Sequence, residues 1–155
     1  MKTVQIGIMK KIISPYNKEN CKGYHYDLTL DNEFVKYNHY KKESTPIPVS
    51  DGEEFELRPG DFVLAQTKEK VDVPNDILGM LFGTSSWART GLLMQTGLIH
   101  AGFHGRITLE FSNPTNFIIS LSPGDKIAQI LFCYINNIGG IDSKYMGQGI
   151  PSPAK

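Results

Sequence analysis

Glycine and proline cut this chain into short apolar pieces, and that punctuation decides what it can fold into. Fifteen glycines and nine prolines fall among 155 residues, a pattern of strands and turns rather than long helices. The candidate strands are Tyr26–Leu30, Glu54–Leu57, Phe62–Lys68, Gly79–Phe82, Leu92–Met94, Arg106–Ser112, Phe117–Leu121 and Ile127–Tyr134. Arg106–Ser112 carries the clearest signal. Its Ile107, Leu109 and Phe111 alternate with Arg106, Thr108, Glu110 and Ser112, the period of two expected of a half-buried strand. Only two places read as helical. Asn17–Cys21 suits a short turn, and in Ser85–Thr90 the serine can cap while Gly91 can terminate in the left-handed conformation. Many short strands with one or two helical turns predict an all-β sandwich or jelly roll.

An internal echo supports that architecture. Leu57-Arg58-Pro59-Gly60-Asp61 is matched by Leu121-Ser122-Pro123-Gly124-Asp125, each followed by a new apolar run. Both copies read as a strand end, a Pro-Gly turn and a fresh strand. The stretch Tyr37–Glu43 reads as a solvated loop, and nothing after Gly139 is periodic. The expected organisation is one domain over 1–142 with a tail over 143–155.

Bulk charge narrows the function classes. Sixteen basic and sixteen acidic residues cancel, whereas nucleic-acid and anionic-membrane surfaces usually carry a basic excess. A free nucleotide needs only a local cluster of positive charge. Cys21 and Cys133 stand far apart with no CxxC pair, which fits free thiols in a reducing compartment. No run reaches the roughly 18 apolar residues of a membrane span. The N-terminal segment has lysines on both sides of a short apolar run and no small-residue cleavage site. A cytoplasmic protein is expected.

Three segments carry the chemistry. Ser85, Ser86 and Arg89 lie within one short turn, and hydroxyls with a guanidinium fork suit a phosphate chain. Read from the residues alone, the same turn is a capped helix with a surface arginine. Glu110 is the one glutamate on the polar face of its strand; a lone carboxylate in a pocket suits water activation, and on an isolated strand it is a wet-face residue. The bend from Gly97 to Gly105 carries His100 and Phe103.

These segments resemble the dCTP deaminase and trimeric dUTPase superfamily, with the likeness running from about Gly23 to Pro151. Thr84-Ser85-Ser86-Trp87-Ala88-Arg89-Thr90-Gly91-Leu92 is similar to the pattern Arg-Ser-Ser-Leu-Ala-Arg-Leu-Gly-Leu, with Thr84 at the place of the first arginine. Ile107-Thr108-Leu109-Glu110-Phe111-Ser112-Asn113 fits the deaminase motif that supplies the catalytic glutamate. His100 stands where both branches carry aspartate, and Phe103 where dUTPases pack an aromatic under the deoxyribose. Tyr26-Asp27-Leu28 matches an early motif read as structural, with Tyr26 and Leu28 in the core and Asp27 bonding backbone. Lys144-Tyr145 and Gln148-Gly149 resemble a C-terminal stretch that closes over the triphosphate in deaminases.

The resemblance implies a dUTPase-like β-barrel or distorted jelly roll that assembles as a homotrimer with sites between subunits. It implies catalytic roles for Glu110, Ser85 and Arg89, and substrate contacts from Ser85, Ser86, Arg89, Gln95, Gly97, His100, Phe103, Lys144, Tyr145 and Gln148. The substrate would be a deoxyribonucleoside triphosphate with Mg2+ on its phosphates. Zinc deaminases require H-x-E with P-C-x-x-C; this chain has neither, so deamination would use no protein-bound metal. The first expectation is dCTP deamination to dUTP. The runner-up is a dUTPase or a bifunctional enzyme, favoured by the Arg89-to-His100 spacing and opposed by His100. A nucleotide-binding protein that has lost its chemistry is the third.

Overall fold

The computed structural model describes residues 3–38, 40–135, 147 and 151. In chain order the elements are α1 (Ile6–Ile12), β1 (Ile13–Ser14), a 3-10 turn (Lys18–Asn20), β2 (Tyr26–Thr29), β3 (Glu33–Asn38), β4 (Glu43–Pro48), β5 (Phe55–Leu57), β6 (Phe62–Asp72), β7 (Ile77–Gly83), α2 (Ser85–Arg89), β8 (Leu93–Met94), β9 (Gly97–Ile99), β10 (His104–Ser112), β11 (Ile119–Leu121) and β12 (Lys126–Tyr134). One sheet runs β4-β3-β6-β10-β8 with β1 also on β6, a second runs β2-β12-β7-β9, and β5 pairs with β11. Among the described residues these ladders are antiparallel. The fold is the expected mostly-β distorted jelly roll.

The core lies between the sheets and includes Tyr26, Leu28, Phe34, Val63, Ala65, Leu109, Phe111, Ile130 and Phe132. Phe34 and Phe55 stack within it at 4.3 Å between ring centres. Alternation explains which residues arrive there. Ile107, Leu109 and Phe111 of β10 point inward and are buried, while Thr108 and Glu110 stay part-exposed on the other face.

The two Pro-Gly corners have the same geometry. Asp61 N donates to Arg58 O at 2.9 Å and Asp125 N to Ser122 O at 3.1 Å. Each aspartate carboxylate in turn accepts from the backbone N–H of Arg58 or Ser122, at 3.3 and 2.8 Å. Gly60 and Gly124 take the positive φ that these turns need, 81° and 91°. The strands feeding the corners, β5 and β11, then pair with one another.

Three local expectations are corrected. Ile6–Ile12 forms a seven-residue helix although it has no side-chain cap; burial of Met9 and Ile12 against the sheets holds it. Of the stretch read as a solvated loop, Tyr37 and Asn38 end β3 and Glu43 opens β4, paired in one hairpin, with Lys42 in the left-handed region at φ 54°. Asp27 bonds side chains, receiving Gln129 Nε2 at 3.4 Å and standing 3.3 Å from His25 Nε2. Tyr26 and Leu28 are fully buried, as expected.

Glu69 on β6 is a buried carboxylate with a job in this frame. It accepts from Thr29 N and Thr29 Oγ1, both at 2.9 Å, tying β6 to the end of β2. Burial raises its pKa, and the Thr29 hydrogen bonds pull the other way. A carboxyl raised in the folded state costs stability when ionised, and that cost fades as pH falls through the raised value toward the unfolded one near ~4.3. Glu69→Gln keeps both contacts, because its amide oxygen accepts from Thr29 N and its NH2 donates to Thr29 Oγ1. It is expected to unfold at a higher temperature than the parent at pH 7, with the gap closing on acidification. Glu69→Leu leaves the Thr29 N–H unpaired and should cost about 1–3 kcal/mol. A gap that does not narrow on acidification from pH 7 would refute the burial argument.

Candidate active site

Glu110 occupies the polar face of strand β10, directly opposite Leu64 of the central strand β6, which in turn pairs with Val35 of β3. Paired residues in an antiparallel ladder share a face, so the glutamate side chain stands at the end of an apolar row. Leu64 and Val35 are 5% and 2% exposed, yet neither belongs to the main core. β6 therefore has two apolar faces, with Val63 and Ala65 inward and Leu64 outward. Removing water from the carboxylate pushes the Glu110 pKa up, opposed by the hydrogen bond from its own backbone N–H. No ion pair reaches it among the described residues.

The nearest cation along its strand is already engaged. Arg106, on the same face, donates from Nη1 to Asp31 Oδ2 at 2.5 Å, and Gln66, opposite Thr108, donates to the same oxygen at 2.9 Å. Sequence reasoning missed Leu64, Val35 and this Asp31–Gln66–Arg106 cluster. The available signal was the unbroken run Phe62-Val63-Leu64-Ala65, which a strand wet on one face does not need.

The phosphate-binding candidates sit on α2. Ser85, Ser86 and Arg89 are exposed, and Arg89 has no ion pair among the described residues. The N-cap is Thr84 rather than Ser85, and it makes no side-chain capping bond. Gly91 ends the turn at φ 84°, as its sequence position suggested. Trp87 is part-buried and packs on the core.

The chain then runs alongside Glu110. β8 pairs Met94 with Phe111 and Leu93 with Ser112. Gln95 N donates to Glu110 O at 3.1 Å, so exposed Gln95 lies next to the glutamate. Gly97 opens β9, opposite Leu81. His100 is exposed in the bend before β10, where Phe103 N donates to His100 O at 3.1 Å and Val73 N to Phe103 O at 2.8 Å. Phe103 is 8% exposed and joins the core of its own chain. The bend and Gln95 thus border β10, and α2 precedes β8, which pairs with it.

Lys144, Tyr145 and Gln148 lie outside the described residues. Gly147 between them is described, and its N–H donates to His104 O at 2.8 Å, at the N-terminal end of β10. A groove of about 220 Å³ runs beside α2, lined by Thr84, Trp87, Leu92, Met94, Ile127 and their neighbours. It does not include Glu110 or either serine. No group of three or more His, Cys, Asp or Glu is placed to hold a metal among the described residues, and no helix there is long and apolar enough to cross a membrane.

Residues 3–135 match the family described as dCTP deaminase-like. A Corynebacterium glutamicum protein named dCTP deaminase, dUMP-forming, is 37% identical, over 92% of this chain and 86% of its own length. Among solved structures, the 2'-deoxycytidine 5'-triphosphate deaminase of Agrobacterium tumefaciens superposes with a TM-score of 0.70 at 16% identity, covering 84% of this chain and 47% of that one. A mutant dUTPase from phage phi11 of S. aureus, described with a structural Mg(II) ion, superposes with a TM-score of 0.55 at 18% identity, covering 84% and 89%. At these identities the two structures speak to the fold.

Proposed function

The chain belongs to the dCTP deaminase-like family, and from that premise we propose that it deaminates dCTP to dUTP with Glu110 as general base and then general acid. One observation carries the reading: the family's glutamate motif lies here on a strand face where burial raises the Glu110 pKa, with Leu64 directly opposite. A carboxylate held above its ordinary value takes a proton from water more readily at neutral pH. The resulting hydroxide attacks cytosine C4. Glu110 then returns the proton to the exocyclic nitrogen, the C4–N bond breaks, ammonia leaves, and the C4 hydroxyl proton passes to N3 to leave the uracil carbonyl.

Ser85, Ser86 and Arg89 would hold the triphosphate, which arrives with Mg2+ as part of the substrate. Gln95, Gly97, His100 and Phe103 would border the base and sugar, with Lys144, Tyr145 and Gln148 supplied by the tail over 143–155. The family resemblance further implies a cytoplasmic homotrimer whose pockets are completed by neighbouring chains.

A second reading continues past dUTP to dUMP and pyrophosphate, favoured by the activity named for the C. glutamicum relative. His100 argues against it. Neutral imidazole accepts one hydrogen bond and lacks the charge of a water-orienting carboxylate, and imidazolium would attract the phosphate itself. Incubating the protein with dCTP and with dUTP, and resolving ammonia, dUTP, dUMP and pyrophosphate, separates the readings. The expected products are ammonia and dUTP, with slow or no hydrolysis of dUTP. His100→Asp is expected to raise dUMP formation and leave ammonia release dependent on Glu110. Rapid dUMP formation by the unaltered protein would reverse the ranking.

A further inference from the structure

Thr84 is a buried polar residue that the proposed chemistry leaves without a role. It sits between β7 and α2, 6% exposed, and its backbone is held on both sides. Its N–H donates to Ile127 O at 3.2 Å, and its C=O accepts from Ala88 N at 3.0 Å. A threonine at such a position usually turns its hydroxyl onto a first-turn N–H. Here no such bond forms. Thr84 Oγ1 lies instead 3.3 Å from Ser86 Oγ, and Ser86 is exposed.

The direction of that hydrogen bond follows from burial. If Ser86 donated to Thr84, the Thr84 proton would be left unpaired in a buried site, the costlier arrangement. If Thr84 donates, its buried proton is paired. Ser86 then accepts from inside and has its own proton free for an acceptor outside. A β-branched side chain has few rotamers, and the fixed backbone of Thr84 makes this donor a stationary one.

We infer that Thr84 is a positioning residue that fixes the Ser86 hydroxyl and turns its proton toward the phosphate of the nucleotide. The inference rests on the proposed contact between Ser86 and the triphosphate. It gives Thr84 a part in substrate affinity without any contact of its own.

The test is a double-mutant cycle on the full chain, in the Glu110→Gln background so that turnover does not intervene, with Mg2+ and dCTP titrated by calorimetry. Thr84→Ser keeps the hydroxyl and is expected to bind as the background does. Thr84→Val is expected to weaken binding about 10-fold, the size of one lost hydrogen bond. Ser86→Ala is expected to weaken it at least as much, and Thr84→Val added to Ser86→Ala should then cost nothing further. Circular dichroism and thermal unfolding confirm that each variant is folded.

Additive losses, or a loss in Thr84→Ser equal to that in Thr84→Val, would overturn the positioning role alone and leave the phosphate contact standing. Unchanged affinity in Ser86→Ala would remove that contact and the inference together. Failure of the Glu110→Gln protein to bind dCTP at all would overturn the parent reading.

Discussion

Glu110→Gln is expected to slow dCTP deamination by about 10²–10⁴-fold while the triphosphate still binds. The substitution keeps the size of the side chain and its place opposite Leu64, and removes only the capacity to take up and return a proton. Its effect should therefore fall on kcat rather than on affinity. The pH profile supplies a second reading of the same group. Burial raises the Glu110 pKa, so the base is lost as pH falls through a value above the ~4.3 of a free glutamate. The acid limb of kcat/KM should lie at that raised position. Leu64→Thr places a hydroxyl beside the carboxylate and should move the limb downward, because it replaces part of the apolar wall that excludes water. Full activity in Glu110→Gln would dismiss the assignment. An acid limb unmoved by Leu64→Thr would dismiss the apolar row as its cause.

That apolar row also marks where sequence reading stops. Period-two alternation revealed the Glu110 strand because its core face is apolar and its other face polar at every position from Arg106 to Ser112. The same rule cannot show that Leu64, on a neighbouring strand, stands opposite Glu110. Register is a tertiary quantity, set here by a ladder with an irregularity between Arg106 and Thr108. The Pro-Gly corners were legible because their turn chemistry is local, with the proline, the glycine and the closing aspartate all within five residues. The β3–β4 hairpin was not. Its turn lacks an Asn-Gly pair and uses Lys42 at positive φ, and Pro46 and Pro48 disguise β4, an edge strand where missing donors are tolerated. α1 has neither a side-chain cap nor an acidic first turn, so packing decides it. The α2 motif was legible as a motif, but the identity of its cap was not. Ser85 and Thr84 are equally suited to the position, and only the path of β7 chooses between them.

Gly91→Ala is expected to destabilise the protein by about 2–4 kcal/mol, a large single-site effect with two separable causes. The first is conformational: Gly91 has φ 84°, where an alanine pays about 1–2 kcal/mol. The second is steric. A Cβ on Gly91 would lie 2.3 Å from Thr115 Cγ2, well inside any tolerable contact. Thr115 cannot easily turn away. Its N–H donates to Asn113 Oδ1 at 3.0 Å, and its single hydroxyl proton is shared between Asn113 Oδ1 at 2.6 Å and Phe117 O at 3.0 Å. Asn113, the last residue of the glutamate motif, is 1% exposed and donates to Leu57 O and Phe117 O at 2.7 and 2.8 Å. The exit of α2 is thereby braced against the turn that ends β10, linking the serines and arginine of one motif to the glutamate of the other. Thr115→Ser removes the offending methyl and keeps the hydroxyl. Adding it to Gly91→Ala should recover the steric part and leave only the conformational cost, read as denaturant midpoints at equal protein concentration. A Gly91→Ala protein within about 0.5 kcal/mol of the parent, the range of an ordinary surface change, would show that α2 is free to shift. No recovery with Thr115→Ser would place the whole cost in the backbone and remove the brace.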